Sequence, residues 1–150
     1  RSLSMIEKYF DQYLKNIGED ALSTSQKLLL NNSFDFLKTK IKTFCDLLEQ
    51  ITFIKVNRPI LINDEKLNSL IINNKKLLKD LTPLLQNVKW TRGELEALLL
   101  DFSSSYNITF GALARPIRIV LSGKSHTPSI IDMMTVLGRE ETLARLYDFS

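Results

Sequence analysis

Apolar residues return every third or fourth position along almost the whole chain, and this spacing predicts an all-α fold. Ile6, Tyr9, Phe10, Tyr13, Leu14 and Ile17 mark a first amphipathic helix, which Gly18 can end. Phe34, Leu37, Ile41, Phe44, Leu48 and Ile51 predict a second, longer helix with Lys38, Lys40 and Lys42 on its far face. Arg58-Pro59 closes that region, because the residue before proline avoids the helical basin. Asn63 is placed to cap a helix whose first turn holds Asp64 and Glu65, carboxylates that the macrodipole favours. Asn73-Asn74 interrupts it. Leu77, Leu78, Leu81, Leu84 and Leu85 then carry a helix over 75–87, started or kinked by Pro83.

At Trp90 a new unit opens. Thr91 and Glu94 have the spacing of a capping box, and Trp90 with Leu95 that of a hydrophobic staple. The helix they start runs to about Ser105. Pro116 suits the first turn of a short helix over 117–122, stopped by Gly123. Thr127-Pro128 reads as an N-cap followed by a first-turn proline, opening a helix over 129–137 that Gly138 stops. Glu140 and Glu141 open the last helix, with Arg145 near its end. Strand signals are confined to the short apolar runs 52–56 and 108–110. The expected division is two helical subdomains, 1–89 and 90–150.

A chain of 150 residues with 44% apolar and 25% charged positions buries enough surface to fold without a disulfide or metal. A single cysteine, Cys45, excludes an internal disulfide framework and a cysteine zinc cluster; a single histidine, His126, excludes a multi-histidine site. No run approaches the roughly 18 apolar residues of a membrane span, and no secretory leader opens the chain. A start at Arg1 suggests a piece of a longer protein.

Charge adds one feature. Net charge is +3, a weak pointer to an anionic partner. Residues 1–89 hold 14 Lys and Arg against 10 Asp and Glu, and residues 90–150 hold 6 against 7. Yet the stretch 102–131 contains no carboxylate and holds Arg115, Arg118, Lys124 and His126, a composition that tolerates anions. Arg115 and Arg118, one helical turn apart, are expected to flank a helix N-terminus, where free N–H groups already favour anions. Arginine adds a planar donor fork suited to phosphates and base edges. Lys124, His126 and Thr127-Pro128 would extend this into an RNA-backbone site. Set against that, the arginines could be plain surface residues and both helix ends ordinary caps. Cys45 reads as a small core residue, His126 as a loop residue and Glu140-Glu141 as dipole partners. No phosphate-cradling loop, glycine-flanked serine or metal-ligand spacing is present.

Trp90-Thr91, Leu95-Glu96-Ala97, the run Pro116-Ile117-Arg118-Ile119-Val120-Leu121-Ser122-Gly123, Thr127-Pro128, and Leu137-Gly138-Arg139-Glu140-Glu141-Thr142-Leu143-Ala144-Arg145 follow in order. That order resembles the C-terminal anticodon-binding region of bacterial glutamyl-tRNA synthetase. The family reads W-T, L-E-A, P-L-R-x-A-L-T-G, S/T-P-G, then L-x-x-L-G-K-E-x-x-L-x-R. Lys40-Ile41-Lys42-Thr43-Phe44-Cys45-Asp46-Leu47 resembles, more loosely, its R-x-K-T-L-x-E-L helix. The resemblance implies two packed helical subdomains holding an anticodon loop. It implies that Arg118, Thr127, Pro128 and Ile130 match positions touching anticodon nucleotides, and that Lys40 matches an arginine associated with the third anticodon base. Arg115 and Lys124 are expected to add positive charge to this RNA-binding surface.

Departures are specific. Lysine at 40 is a point charge where the family carries a fork, which bears on discrimination between glutamate and glutamine tRNAs. Ser129 replaces a usual glycine and Ile131 a common aromatic. The family's H-I-G-H and K-M-S-K-S nucleotide motifs are missing, so ATP and magnesium belong to the whole enzyme, and no cofactor and no activity are expected of this stretch. The expected protein is cytoplasmic and monomeric, binds tRNA and does not enter membranes. Two other classes stay open: a helical adaptor that binds protein, and a helix-turn-helix DNA-binding module over 117–137. The second helix of that module, apolar and acidic, offers no base-reading face.

Overall fold

Residues 3–149 are described in the computed structural model, and among them nine helices and no strand form the fold. α1 (Leu3–Asn16) lays Phe10 and Leu14 into the core, both fully buried, and unwinds through Gly18 as its periodicity predicts. α2 (Thr24–Leu37) starts at Thr24, well before Phe34. Its start is set by a reciprocal cap: the Gln26 amide N–H donates to Ser23 Oγ (3.1 Å), and the Ser23 N–H to Gln26 Oε1 (2.8 Å).

The single helix expected over 34–51 is interrupted. α2 ends at Leu37, and α3 (Phe44–Gln50) begins after a bend over 38–43. Thr43 causes the break. Its hydroxyl accepts the Asp46 N–H (3.1 Å), while Asp46 Oδ2 accepts the N–H groups of Lys42 (3.0 Å) and Thr43 (3.2 Å). The apolar spacing runs on across the gap because both helices bury the same side, with Leu37, Leu47 and Ile51 all fully or almost fully buried. Lys40 and Lys42 therefore stand in a connection, not on a helix face, and Cys45 is exposed rather than in the core. The run 52–56 is not a strand: α4 (Thr52–Lys55) is a single helical turn that buries Phe53 and Ile54.

α5 (Glu65–Asn73) is capped by Asp64 rather than Asn63, since Asp64 Oδ1 reaches the N–H of both Lys66 (2.8 Å) and Leu67 (3.2 Å). Asn74 separates it from α6 (Lys75–Asn87), in which Pro83 lies inside the helix and does not start it. α7 (Arg92–Ser105) opens on Thr91, whose hydroxyl accepts the Glu94 N–H at 3.4 Å. α8 (Phe110–Ser122) begins on a Thr109 cap, so 108–110 is likewise no strand, and ends at Gly123. α9 (Ile130–Tyr147) is bent at Gly138, whose φ of 82° and ψ of 169° suit glycine alone; the predicted stop there is seen as this kink.

α9 packs against α2, α6, α7 and α8, and one continuous core runs from Phe10 to Leu146. Two arginines fasten α4, the segment after it and the end of α8 to α9. Arg145, 4% exposed, donates from Nη1 to the carbonyls of Phe53 (2.7 Å) and Leu121 and from Nε to Glu141 (3.1 Å). Both carbonyls lie in the last turns of their helices, where no intrahelical donor is available. Arg58 pairs with both oxygens of Asp148 (2.8 and 3.0 Å) and reaches the Ala144 carbonyl. Trp90 Nε1 donates to the Met134 carbonyl (2.8 Å), and the Arg139 guanidinium lies 5.5 Å from the Trp90 ring centroid. No helix among the described residues is long and apolar enough to cross a membrane.

Candidate nucleic-acid interface

Arg115 and Arg118 lie one turn apart in the middle of α8, not at its start. The helix N-terminus is at Thr109, whose Oγ1 accepts the Ala112 N–H (3.0 Å). Pro116 is interior and buried. Its ring holds a helical φ and forgoes only one N–H bond, and burial of Leu113, Ala114, Ile117 and Val120 holds the turns on either side. The expected anion site at a helix end is therefore replaced by two guanidiniums on the side of a continuous helix.

The turn after α8 is tied to it closely. Gly123 has a φ of 74°, and a Cβ there would sit 2.8 Å from Ile60 Cγ2, so both conformation and space require glycine. Ser122 Oγ donates to the Arg118 carbonyl (2.7 Å) and accepts the Lys124 N–H (3.0 Å). Arg118 Nε donates to Thr127 Oγ1 (3.0 Å), and the Thr127 hydroxyl donates to the Pro128 carbonyl (2.7 Å). Thr127 is thus not the cap of α9. That place belongs to Ser129, whose Oγ accepts the Asp132 N–H (3.1 Å). Asp132 in turn pairs with Arg92, so the first carboxylate after the acid-free stretch is neutralised.

Arg115, Lys124 and His126 are exposed, Arg118 and Thr127 half-buried, and Pro128 buried. Ile130 is 1% exposed and belongs to the core beneath the turn. Arg115 shares a surface groove with Lys66, Ser69 and Asn73 of α5; Lys124 shares another with Asn57, Pro59 and Leu61. Leu61 is 82% exposed. The fold therefore gathers Arg118, Lys124, Thr127, Pro128 and Ile130 around the α8–α9 turn, with Arg115 one helical turn before Arg118 and beside α5. Lys40 is exposed on a separate element, the α2–α3 connection. Donation from the Lys42 and Thr43 backbones holds the Asp46 carboxyl below its ordinary pKa, which keeps that connection's anchor charged.

The anticodon binding domain family model matches residues 3–149. The chain belongs to this family. Glutamate–tRNA ligase 2 of Paracoccus denitrificans is 43% identical over 131 residues, covering 87% of this chain and 28% of that protein. Glutamate–tRNA ligase 2 of Roseobacter denitrificans is 44% identical over 131 residues, again 87% of this chain and 28% of the relative. A glutamate tRNA ligase from Elizabethkingia meningosepticum, solved in complex with its amino acid, superposes with a TM-score of 0.72 at 18% identity. That match covers 99% of this chain and 29% of the other, and is a likeness of fold. This chain thus spans less than a third of the length of the ligases it matches. Neither the adaptor nor the helix-turn-helix reading gains support from these matches.

Within this anticodon-binding domain, no local sequence pattern marks Lys66, Asn73, Asn57 and Leu61 as neighbours of the arginine-bearing surface. They reach Arg115 and Lys124 only through the packing of α5 and the 56–61 segment against α8 and its turn. Arg145 was legible only as a charge suited to a helix end. Its buried donation to α4 and α8 depends on long-range contacts that no local pattern encodes. Among the described residues no group of His, Cys, Asp or Glu could hold a metal ion.

Proposed function

We propose that this domain grips the anticodon loop of a glutamate tRNA on behalf of a glutamate–tRNA ligase. The observation that carries the reading is the match over residues 3–149 to the anticodon-binding family. Identity to ligases of that specificity supports the choice of tRNA. Single-stranded RNA loops are read by unstacking bases and offering hydrogen-bond donors to their edges. Arg118 is the donor placed for that role. Arg115 and Lys124, exposed on either side, would hold phosphates and fix register, as cations without base specificity do. Lys40 would meet the third anticodon base with a point charge, which leaves glutamine tRNA as a second acceptor.

In the whole enzyme, the part outside this chain would carry glutamylation with ATP and magnesium. This domain would take no chemical step, and no residue in it is assigned to either group. We place the ligase in the cytoplasm, as a monomer, with residues 1–89 and 90–150 as the two halves of its tRNA-gripping end. The test is amide mapping by ¹H–¹⁵N spectroscopy during addition of a glutamate-tRNA anticodon stem-loop. Shifts should centre on Arg118, Lys124, Thr127 and residues 38–43. Shifts confined to other surfaces, or equal shifts with a plain RNA duplex of the same length, would refute the reading.

A further inference from the structure

Six arginines fall within the described residues, and they divide by what their terminal nitrogens do. Arg58, Arg92, Arg139 and Arg145 each commit an Nη group to a carboxylate or carbonyl of the fold. Arg115 is exposed, with no partner among the described residues. Arg118 is anchored through Nε and no other nitrogen, to Thr127 Oγ1 at 3.0 Å, while both Nη groups keep all their hydrogens uncommitted among the described residues. The residue is half-buried, and neither Nη is among the fully buried polar atoms left without a partner, so both stay open to solvent and to an acceptor arriving from outside.

Thr127 is in the opposite condition. Its hydroxyl spends its proton on the Pro128 carbonyl (2.7 Å) and accepts from Arg118, leaving it no hydrogen to donate to a ligand. The backbone beneath Arg118 is fixed as well, since its carbonyl accepts from Ser122 Oγ (2.7 Å). A guanidinium is planar, so fixing Nε fixes the plane in which the two Nη groups point.

We propose that Thr127 is a positioning residue: it contributes to RNA binding through Arg118, by orienting the guanidinium so that its two Nη groups address a pair of adjacent acceptors on an unstacked base. This rests on the anticodon-loop reading above. The same fork would also fit two phosphate oxygens, and the test separates the two sources. A bidentate arginine contact to a base is worth about 5- to 150-fold in affinity. Thr127 should supply part of that factor, because an untethered guanidinium samples other planes and loses entropy on binding.

The experiment is a double-mutant cycle on this chain, read as the affinity for a glutamate-tRNA anticodon stem-loop and for stem-loops with each anticodon base changed. Arg118→Ala should weaken cognate binding about 5- to 150-fold. Thr127→Val should weaken it about 3- to 10-fold, a share of that range. Thr127→Ser, which keeps the hydroxyl, should restore it. In the Arg118→Ala background, Thr127→Val should cost nothing further. One changed base should erase the Thr127→Val effect. If the effect instead survives every base change and shrinks with salt, the acceptors are phosphate oxygens and the base assignment is overturned. Equal losses from Thr127→Val with and without Arg118 would overturn the positioning role.

The Arg118 side-chain Nε–H resonance provides a check independent of stability. It should be protected from exchange in the wild type and in Thr127→Ser, and lose protection in Thr127→Val. An unchanged resonance in folded Thr127→Val would contradict the proposal. Absence of binding by the wild type would count against the anticodon-loop reading itself, and the resonance would still decide whether Thr127 holds Arg118.

Discussion

Replacing Arg145 with methionine removes the polar link between α4, α8 and α9 while keeping an unbranched apolar side chain as far as the position of Nε. In the native fold its Nη1 supplies the carbonyls of Phe53 (2.7 Å) and Leu121, and Nε supplies Glu141 (3.1 Å), at a residue 4% exposed. Burial lowers the guanidinium pKa, and pairing with Glu141 opposes that; arginine is basic enough to stay a cation in proteins. Each buried carbonyl left without a donor costs about 1–3 kcal/mol. Two of them, less what the apolar replacement recovers by removing a buried charge, amount to about 3 kcal/mol. For a domain of this size that lowers the melting temperature by about 6–12 °C, measurable by circular dichroism. Arg145→Lys should fall between, since one ammonium cannot span both carbonyls with the same geometry. The effect should also reach RNA binding, because Leu121 lies in the turn of α8 that follows Arg118. A melting temperature within about 2 °C of wild type would refute the claim that these carbonyls depend on Arg145.

Other expectations follow from single features. Asp46, held below its ordinary pKa of 3.8 by the N–H groups of Lys42 and Thr43, adds stability that is fully present above that value and is lost as pH falls through the lower folded-state value. The protection factors of the Lys42 and Thr43 amides, each rate taken relative to the unfolded chain at the same pH, should therefore fall once pH drops below 3.8, and Asp46→Asn should abolish that dependence; protection factors that do not change with pH in the wild type would contradict the anchor. Gly123→Ala meets both a positive φ and Ile60 Cγ2 at 2.8 Å, and should cost about 2 kcal/mol or more, whereas an unchanged melting temperature would mean that the turn has another conformation. Lys124→Ala should lower the salt slope of log affinity by about 0.7 and leave base preference intact. Lys40→Arg should sharpen preference at the third anticodon base, and equal preference before and after would remove Lys40 from that position.

Much of the helical order can be read from spacing alone, because 3-and-4 periodicity reflects which side of each helix is buried, and α1, α6, α7 and the kink of α9 lie where that pattern puts them. Each failure has a physical cause. Where two helices bury the same face in sequence, as α2 and α3 do, the periodicity passes straight through the break, and only the Thr43–Asp46 cap reveals it. Pro116 misleads in the opposite way: proline prefers a first turn, yet the Thr109 cap and the buried residues around it carry α8 through. The acid-free stretch marked the face that holds Arg115, Arg118 and Lys124. It could not show that Thr127 binds Arg118 rather than capping α9, because Ser129, two residues on, competes for the same role. Arg145 and Lys66 gained their places from tertiary contacts alone.

The central claim is that this domain reads an anticodon loop through the α8–α9 turn. It is tested most directly by titrating the chain against a glutamate tRNA transcript at two salt concentrations, with a transcript altered at the third anticodon base beside it. Binding that weakens with salt by about 0.7 in log slope per phosphate contact, and weakens further with the altered base, is the predicted result. Binding that is indifferent to salt and to the anticodon would contradict it.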